Sequence, residues 1–384
     1  MDNKQRKKLI GNLIFLVIVL VAVFIILFSF HDIEDVVSII KGIKIKYIFY
    51  LFTLALLHLI IVGLAIAVIT TPDDFDIPFL DALNIANTEH LFNAVTPFAS
   101  GGQPIHGYYF MKYGINGDKT ISILVSNFIV YQATAAVFST VGIILYIKDI
   151  ANLLHSQVFL IILGFSINMI ILVGIILLST IPKAAHLFRV FIRWLGKIKP
   201  LKNVMEKAEV KLFEFVSEFQ KSTKELFKRK RVFLGSVSLR LLDLIVANSI
   251  PIVIFLALGV TLERSDYFFI IMMSMFAQTF MMWIPTPGAA GAVEWAFSVL
   301  FVGLLAQELI VPSILLWRFF TYYFGMVIGL ISYILVKKRG AKYENRITQW
   351  CILPNNWWSF YFAFNVKRRL NKNGSWSLCY YSDC

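Results

Sequence analysis

Arg240 and Asp243 stand three residues apart in SVSLRLLDLIVANS, an otherwise apolar run, so on a helix they share a face with Ser236 and Ala247. A charged side chain at the centre of a bilayer costs about 2.5–3.5 kcal/mol on insertion scales and is therefore expected to have a partner. Two readings stay open. The pair neutralises itself and eases insertion, or Arg240 meets a lipid phosphate while Asp243 meets a cationic headgroup. Arg318, inside another apolar run, either snorkels to the interface or contacts the same ligand. Glu89 is a candidate cation or proton site; its neighbour His90 reads as a satisfied buried histidine, because adjacent residues point apart and lack metal-ligand spacing. Glu294 is expected to cap a helix N-terminus or to touch substrate.

These residues flank two interruptions. TPFASG, Thr96 to Gly101, and TPGAAG, Thr286 to Gly291, place Thr, Pro, Ala and Gly at equal offsets in segments 79–114 and 266–309, neither of which is a clean span. Pro removes a backbone donor and Gly permits close backbone approach, so a helix stops and restarts there. A restarted helix exposes N–H groups and partial positive charge, which suit an anionic group such as a phosphate. The expected substrate-binding set is Thr96, Pro97, Ser100, Gly101, Gly102, Gln103, Arg240, Asp243, Thr286, Pro287, Gly288, Gly291 and Arg318, with Glu89 and Glu294 as ion or proton sites. Paired Gly/Pro breaks in two halves point to a transporter site near the bilayer midplane. The alternative is a kink in each of two ordinary helices.

The elements that position these groups are apolar. Of 384 residues 58% are hydrophobic and 15% charged, and several runs of about twenty apolar residues are long enough to cross roughly 30 Å of hydrocarbon. We expect an all-α polytopic membrane protein with six spans near 9–30, 47–70, 119–147, 157–180, 232–260 and 311–336, and two re-entrant half-helix hairpins in an inverted repeat. The first span follows MDNKQRKK and reads as a retained anchor, since no small-residue cleavage site follows it. Lys/Arg-rich segments before the first span, across 183–231 and after the last span fall on one side, which predicts cytoplasmic termini. The net charge of +13 is explained by this topology, so nucleic acid is not an expected partner.

At NAVTPFASGGQP with the following YYFMKYGI, at IPTPGAAGAVE and at LLWRFFTYYFGMVIGL, the chain resembles the transmembrane, flippase-like domain of lysylphosphatidylglycerol synthases and multiple peptide resistance proteins, over about residues 9 to 338. The second motif departs, with Ala where relatives commonly carry further Gly. The resemblance implies a bacterial cell-membrane protein that binds or moves polar phospholipid, in that family classically an aminoacylated phosphatidylglycerol, and thereby blunts cationic antimicrobial peptides. Full-length synthases also carry a cytosolic lysyltransferase domain. About forty-six residues follow the last span here, too few for that domain, so phosphatidylglycerol lysyltransferase activity is not carried over to this chain.

Within residues 1–338, the expected membrane domain, segment 183–231 holds fourteen Lys/Arg against five Glu. Leu201, Met205, Ala208, Leu212, Phe215, Phe219 and Leu226 recur there at three and four residue steps, the pattern of an amphipathic helix. It suits the anionic inner leaflet or a partner helix, and a homo-oligomer is one such partner. Residues 339–384 form an aromatic tail read as interfacial or disordered. All three cysteines, Cys351, Cys379 and Cys384, lie in that tail without a zinc or redox spacing. The chain shows no Walker motif, dinucleotide glycine loop, HExxH pattern or nucleophile elbow, and TPDDFDIP lacks ordered metal-ligand spacing. No bound cofactor or metal is expected. Three functions compete: a lipid translocator or binder, a lysyltransferase or component of one, and a membrane scaffold that recruits a partner through the basic arm.

Overall fold

A computed structural model of the chain describes residues 33–70, 77–96, 99–154, isolated positions between 165 and 177, residues 216, 219–281 and 291–344, and the short segments 367–370 and 376–379. A short helix α1, Ile33–Lys41, leads into α2, Ile45–Thr70, whose 26 residues reach about 39 Å at 1.5 Å per residue. Then come α3, Phe79–Ala94, and α4, Gly102–Lys112, followed by the long α5, Gly117–Leu154. The second half has α6, Lys230–Asn248, with α7, Ile250–Ala257, then α8, Arg264–Met281, and α9, Ala292–Phe301. It closes with α10, Gln307–Arg318, a π-helical turn Phe319–Tyr323, and α11, Phe324–Glu344. A two-stranded antiparallel pair, β1 (Lys367–Leu370) and β2 (Trp376–Cys379), lies in the tail that the sequence left without regular structure.

Four of these stretches, Ile45–Thr70, Gly117–Lys148, Lys230–Ala257 and Gln307–Arg339, are long and apolar enough to cross a membrane. They coincide with the second, third, fifth and sixth expected spans. The first span lies outside the described residues, and the fourth lies largely outside them. Outward faces support the membrane assignment: Phe49, Phe52, Leu56 and Ile60 line one exposed side of α2, and Val137, Val141, Ile144 and Leu145 are exposed on α5. An apolar surface of that extent suits hydrocarbon rather than water. The protein is an all-α, multi-pass membrane protein.

Both expected interruptions separate paired helices. In the first, Gly102 of α4 lies beside Asn93 of α3, while His106 lies beside Ala86. One index rises as the other falls, so the two arms run antiparallel and the segment folds back on itself. Neither arm matches a full span: α3 has 16 residues and α4 has 11, about 24 and 16 Å. In the second, α8 and α9 pack together, and Gln278 of α8 donates to Asn248 at the end of α6 at 3.2 Å. The order of long helix, broken pair, long helix therefore occurs twice. Ala99, at the tip of the first hairpin, has φ +47°, a left-handed conformation that a residue with a Cβ seldom adopts.

Two hydrophobic cores form, and each draws on helices of both halves. Phe255, Phe297, Phe301 and Trp317 anchor one, and Ile85, Ile105, Tyr109, Phe110 and Val336 anchor the other. Helix α2 joins them, with Leu51 and Ala55 in the first core and Val62, Ile66 and Ile69 in the second. Close approach of α11 to α3 depends on Gly329, where a Cβ would stand 2.8 Å from both Asn87 O and Leu91 N. Of the basic arm, residues 216 and 219–231 are described, and all but Arg229 are helical. Phe219 packs with Val125 and Ile129 of α5, while Lys221, Lys224 and Lys228 are exposed. The described end of the arm thus packs on the membrane domain itself.

Candidate functional site

The tip of the first hairpin is held by its own side chains. Thr96 Oγ1 donates to Phe92 O at 2.8 Å and accepts from Gly101 N at 2.9 Å, and Asn93 Oδ1 accepts from Gly102 N at 2.7 Å. Two amides at the start of α4 are therefore engaged within the hairpin. The glycine pair has a packing reason as well. A Cβ on Gly101 would stand 2.5 Å from Phe92 O, and one on Gly102 would stand 2.9 Å from Asn93 Oδ1. Gln103 is half-buried in the first turn of α4 and Ser100 is exposed. Pro97 lies outside the described residues.

At the second interruption Thr286, Pro287 and Gly288 lie outside the described residues, but Gly291 and Glu294 do not. Gly291, at φ +90°, donates its N–H to Glu294 Oε2 at 2.8 Å, so Glu294 caps α9. The other carboxylate oxygen of Glu294 accepts from Arg318 Nε at 2.6 Å, with both side chains under a tenth exposed. The Arg318 guanidinium lies 5.1 Å over the Tyr322 ring, and the Tyr322 hydroxyl donates to Ala94 O, the last residue of α3, at 3.2 Å. A chain of contacts thus runs from the second break through the π-helical turn to the first. Such turns recur at functional sites.

A second polar group lies between α2, α3, α4, α5 and α6. Arg240 Nη1 is 3.5 Å from Asp243 Oδ2, the contact expected from their spacing, and both residues are buried. Asp243 has a further partner that sequence reasoning missed, His58 of α2, whose Nδ1 lies 2.6 Å from Asp243 Oδ1. Arg240 Nη2 donates to Asn127 Oδ1 at 2.7 Å, and its guanidinium lies 5.6 Å over the Tyr131 ring. Asn127 and Tyr131 lie on one stripe of α5; Thr134, on the same stripe, bonds back to Val130 O. On α3, the His90 ring sits 5.5 Å from that of His58, and Glu89 Oε2 is 3.7 Å from His106 Nε2. His90 is not the satisfied histidine expected: its buried Nε2 makes no hydrogen bond. The missed signal was a histidine midway along an apolar span, LFTLALLHLIIVGL, the same kind of signal that singled out Arg240.

At the far end of α3, buried Asp81 accepts from Arg339 Nη1 of α11 at 2.8 Å, which ties the first hairpin to the last long helix. Among the described residues no group of three or more His, Cys, Asp or Glu is arranged to hold a metal ion.

Comparison with known proteins agrees with this architecture. A relative from Archaeoglobus fulgidus, described as a UPF0104 membrane protein, is 25% identical over 294 residues, covering 71% of this chain and 81% of its own length. The family model for the lysylphosphatidylglycerol synthase TM region matches residues 12–329, a stretch that takes in both interruptions and every charged residue of the two polar groups. The chain belongs to that family.

Proposed function

We propose that this protein binds a polar phospholipid by its headgroup and passes it between leaflets. The observation that carries the reading is the buried Arg240, held by Asp243, Asn127 and Tyr131 where three long helices and a broken hairpin meet. A guanidinium matches phosphate oxygens in geometry as well as charge. Its retention inside an apolar bundle, at the insertion cost noted above, is what a ligand-binding cation would require. Two broken hairpins in equivalent places supply elements that can move against the long helices. The contact chain Glu294–Arg318–Tyr322–Ala94 would register one hairpin against the other during that movement.

The test is reconstitution into liposomes holding fluorescent phosphatidylglycerol in both leaflets, with a membrane-impermeant quencher added outside. Wild-type protein is expected to expose the inner-leaflet pool, and Arg240→Gln to slow that exposure by at least tenfold. Equal loss of signal from protein-free liposomes would end the translocation reading.

A further inference from the structure

Asp243 serves two cations of different kinds. Its Oδ1 lies 2.6 Å from His58 Nδ1, and its Oδ2 lies 3.5 Å from Arg240 Nη1. Arg240 cannot shed its charge, whereas imidazole is the side chain whose charge ordinarily changes between pH 5 and 8. The His58 side chain is 19% exposed, against 4% for Arg240 and 6% for Asp243. Arg240 also keeps a donor in reserve. Its Nη2 is used by Asn127, but its buried Nε has no hydrogen-bond partner.

The charges then decide what the group can hold. With His58 neutral, Arg240 and Asp243 cancel, and the triad offers an anion nothing. With a proton on His58 the sum is plus one: the carboxylate is matched by the nearer imidazolium, and the guanidinium is left to an anion of charge minus one. A phosphodiester is such an anion, and the planar donor fork of Arg fits it.

This count is that of the triad alone, and two further ionisable groups of α3, His90 and Glu89, stand beside it. Helix α3 presents His90, and Glu89, whose carboxylate lies 3.7 Å from His106 of α4. Helix α5 contributes Asn127 and Tyr131, both on Arg240. Helix α7, IPIVIFLA, has no ionisable side chain. In the π-helical turn, Tyr322 lies against Arg318 and Ala94, and Tyr323 feels the charges of Arg318 and Glu294. From α11, Gly325 faces the His90 ring.

We propose that His58, Asp243 and Arg240 form a proton-gated anion site, in which one proton is taken up on His58 for each lipid phosphodiester bound by Arg240. This rests on the lipid-binding reading above and adds the coupling ion to it. The proton comes from hydronium, one O–H bond breaking as the imidazole N–H bond forms, and no other covalent bond changes.

The test is calorimetric titration of the full chain in detergent micelles with short-chain phosphatidylglycerol, from pH 5 to 9, in buffers of different ionisation enthalpy. The expected result is an uptake approaching one proton per lipid within that range, with the dissociation constant rising by up to about tenfold per pH unit where uptake is near one. Two substitutions should flatten the pH profile at opposite levels. Asp243→Asn leaves Arg240 without its counter-ion and is expected to hold the tight, low-pH affinity throughout, whereas His58→Gln holds the weak, high-pH affinity. Shifts in the same direction would overturn the gating. Should either variant fail to fold, the wild-type proton count still decides the question. Lipid binding with no proton uptake and a flat pH profile refutes the inference and leaves lipid binding standing; no binding at any pH refutes both. Glycerophosphoglycerol, the same phosphodiester without acyl chains, identifies the source of the anion: affinity equal to that of the lipid would overturn the lipid assignment.

Discussion

The Glu294–Arg318 pair permits a quantitative test of how the two breaks are held. Glu294→Gln keeps an acceptor for Gly291 N–H but removes the charge opposite Arg318, where both side chains are under a tenth exposed. Removing one member of a buried pair costs about 3–5 kcal/mol, because the other charge is left without compensation. Against a total stability of about 5–15 kcal/mol, that is a large fraction. Arg318→Met should cost a similar amount, part of it from the guanidinium stacked 5.1 Å over Tyr322, an interaction worth about 2 kcal/mol when desolvated. The double variant leaves neither charge stranded. Its cost should therefore fall to about 2–3 kcal/mol, mainly the lost stacking, and the cycle should return a coupling of about 5 kcal/mol. The assay is equilibrium unfolding in mixed detergent micelles, followed by tryptophan fluorescence, for all four proteins. Additive costs, with the double variant as unstable as the sum of the singles, would refute the claim that these charges depend on one another.

The first hairpin yields two opposed predictions. Gly101→Ala drives a Cβ to 2.5 Å from Phe92 O and should cost about 1–3 kcal/mol, whereas Ala99→Gly relieves a left-handed alanine and should gain about 1 kcal/mol; thermal unfolding in detergent reads both. Arg339→Gln leaves Asp81, 4% exposed at its side chain, with a weaker partner and should lower stability by about 1–3 kcal/mol, with Asp81→Asn in the same chain restoring most of it. Equal instability of the single and double variants would show that the contact does not hold the hairpin to α11.

Several of these features were legible because they are local. Apolar runs of the required length marked the four long helices among the described residues, and Pro with paired Gly marked where helices stop, since backbone geometry depends on the residue itself and its neighbours. Arg240 facing Asp243 follows from helical spacing alone, and Glu294 capping Gly291 follows from its place in a first turn. What the interrupted segments do with their freed amides was not legible. The sequence suggested an open anion pocket at Gly101 and Gly102, whereas Asn93 and Thr96 reach back across the hairpin and occupy both N–H groups.

The amino-acid sequence by itself determined that this chain lives in a membrane, where its long helices run, where two of its segments break, and which helix faces carry charge. Only tertiary structure decided which charges meet. His58 lies 185 positions from Asp243, Asn127 lies 113 from Arg240, and Tyr322 lies 228 from Ala94. The period of a helix is set by its own backbone, but its rotation and height against a neighbour are set by side-chain packing, such as the approach of α11 to α3 at Gly329. Those rotations bring an apolar-span histidine onto a carboxylate already shared with an arginine, and so create the one triad in this protein for which we infer a proton-dependent charge.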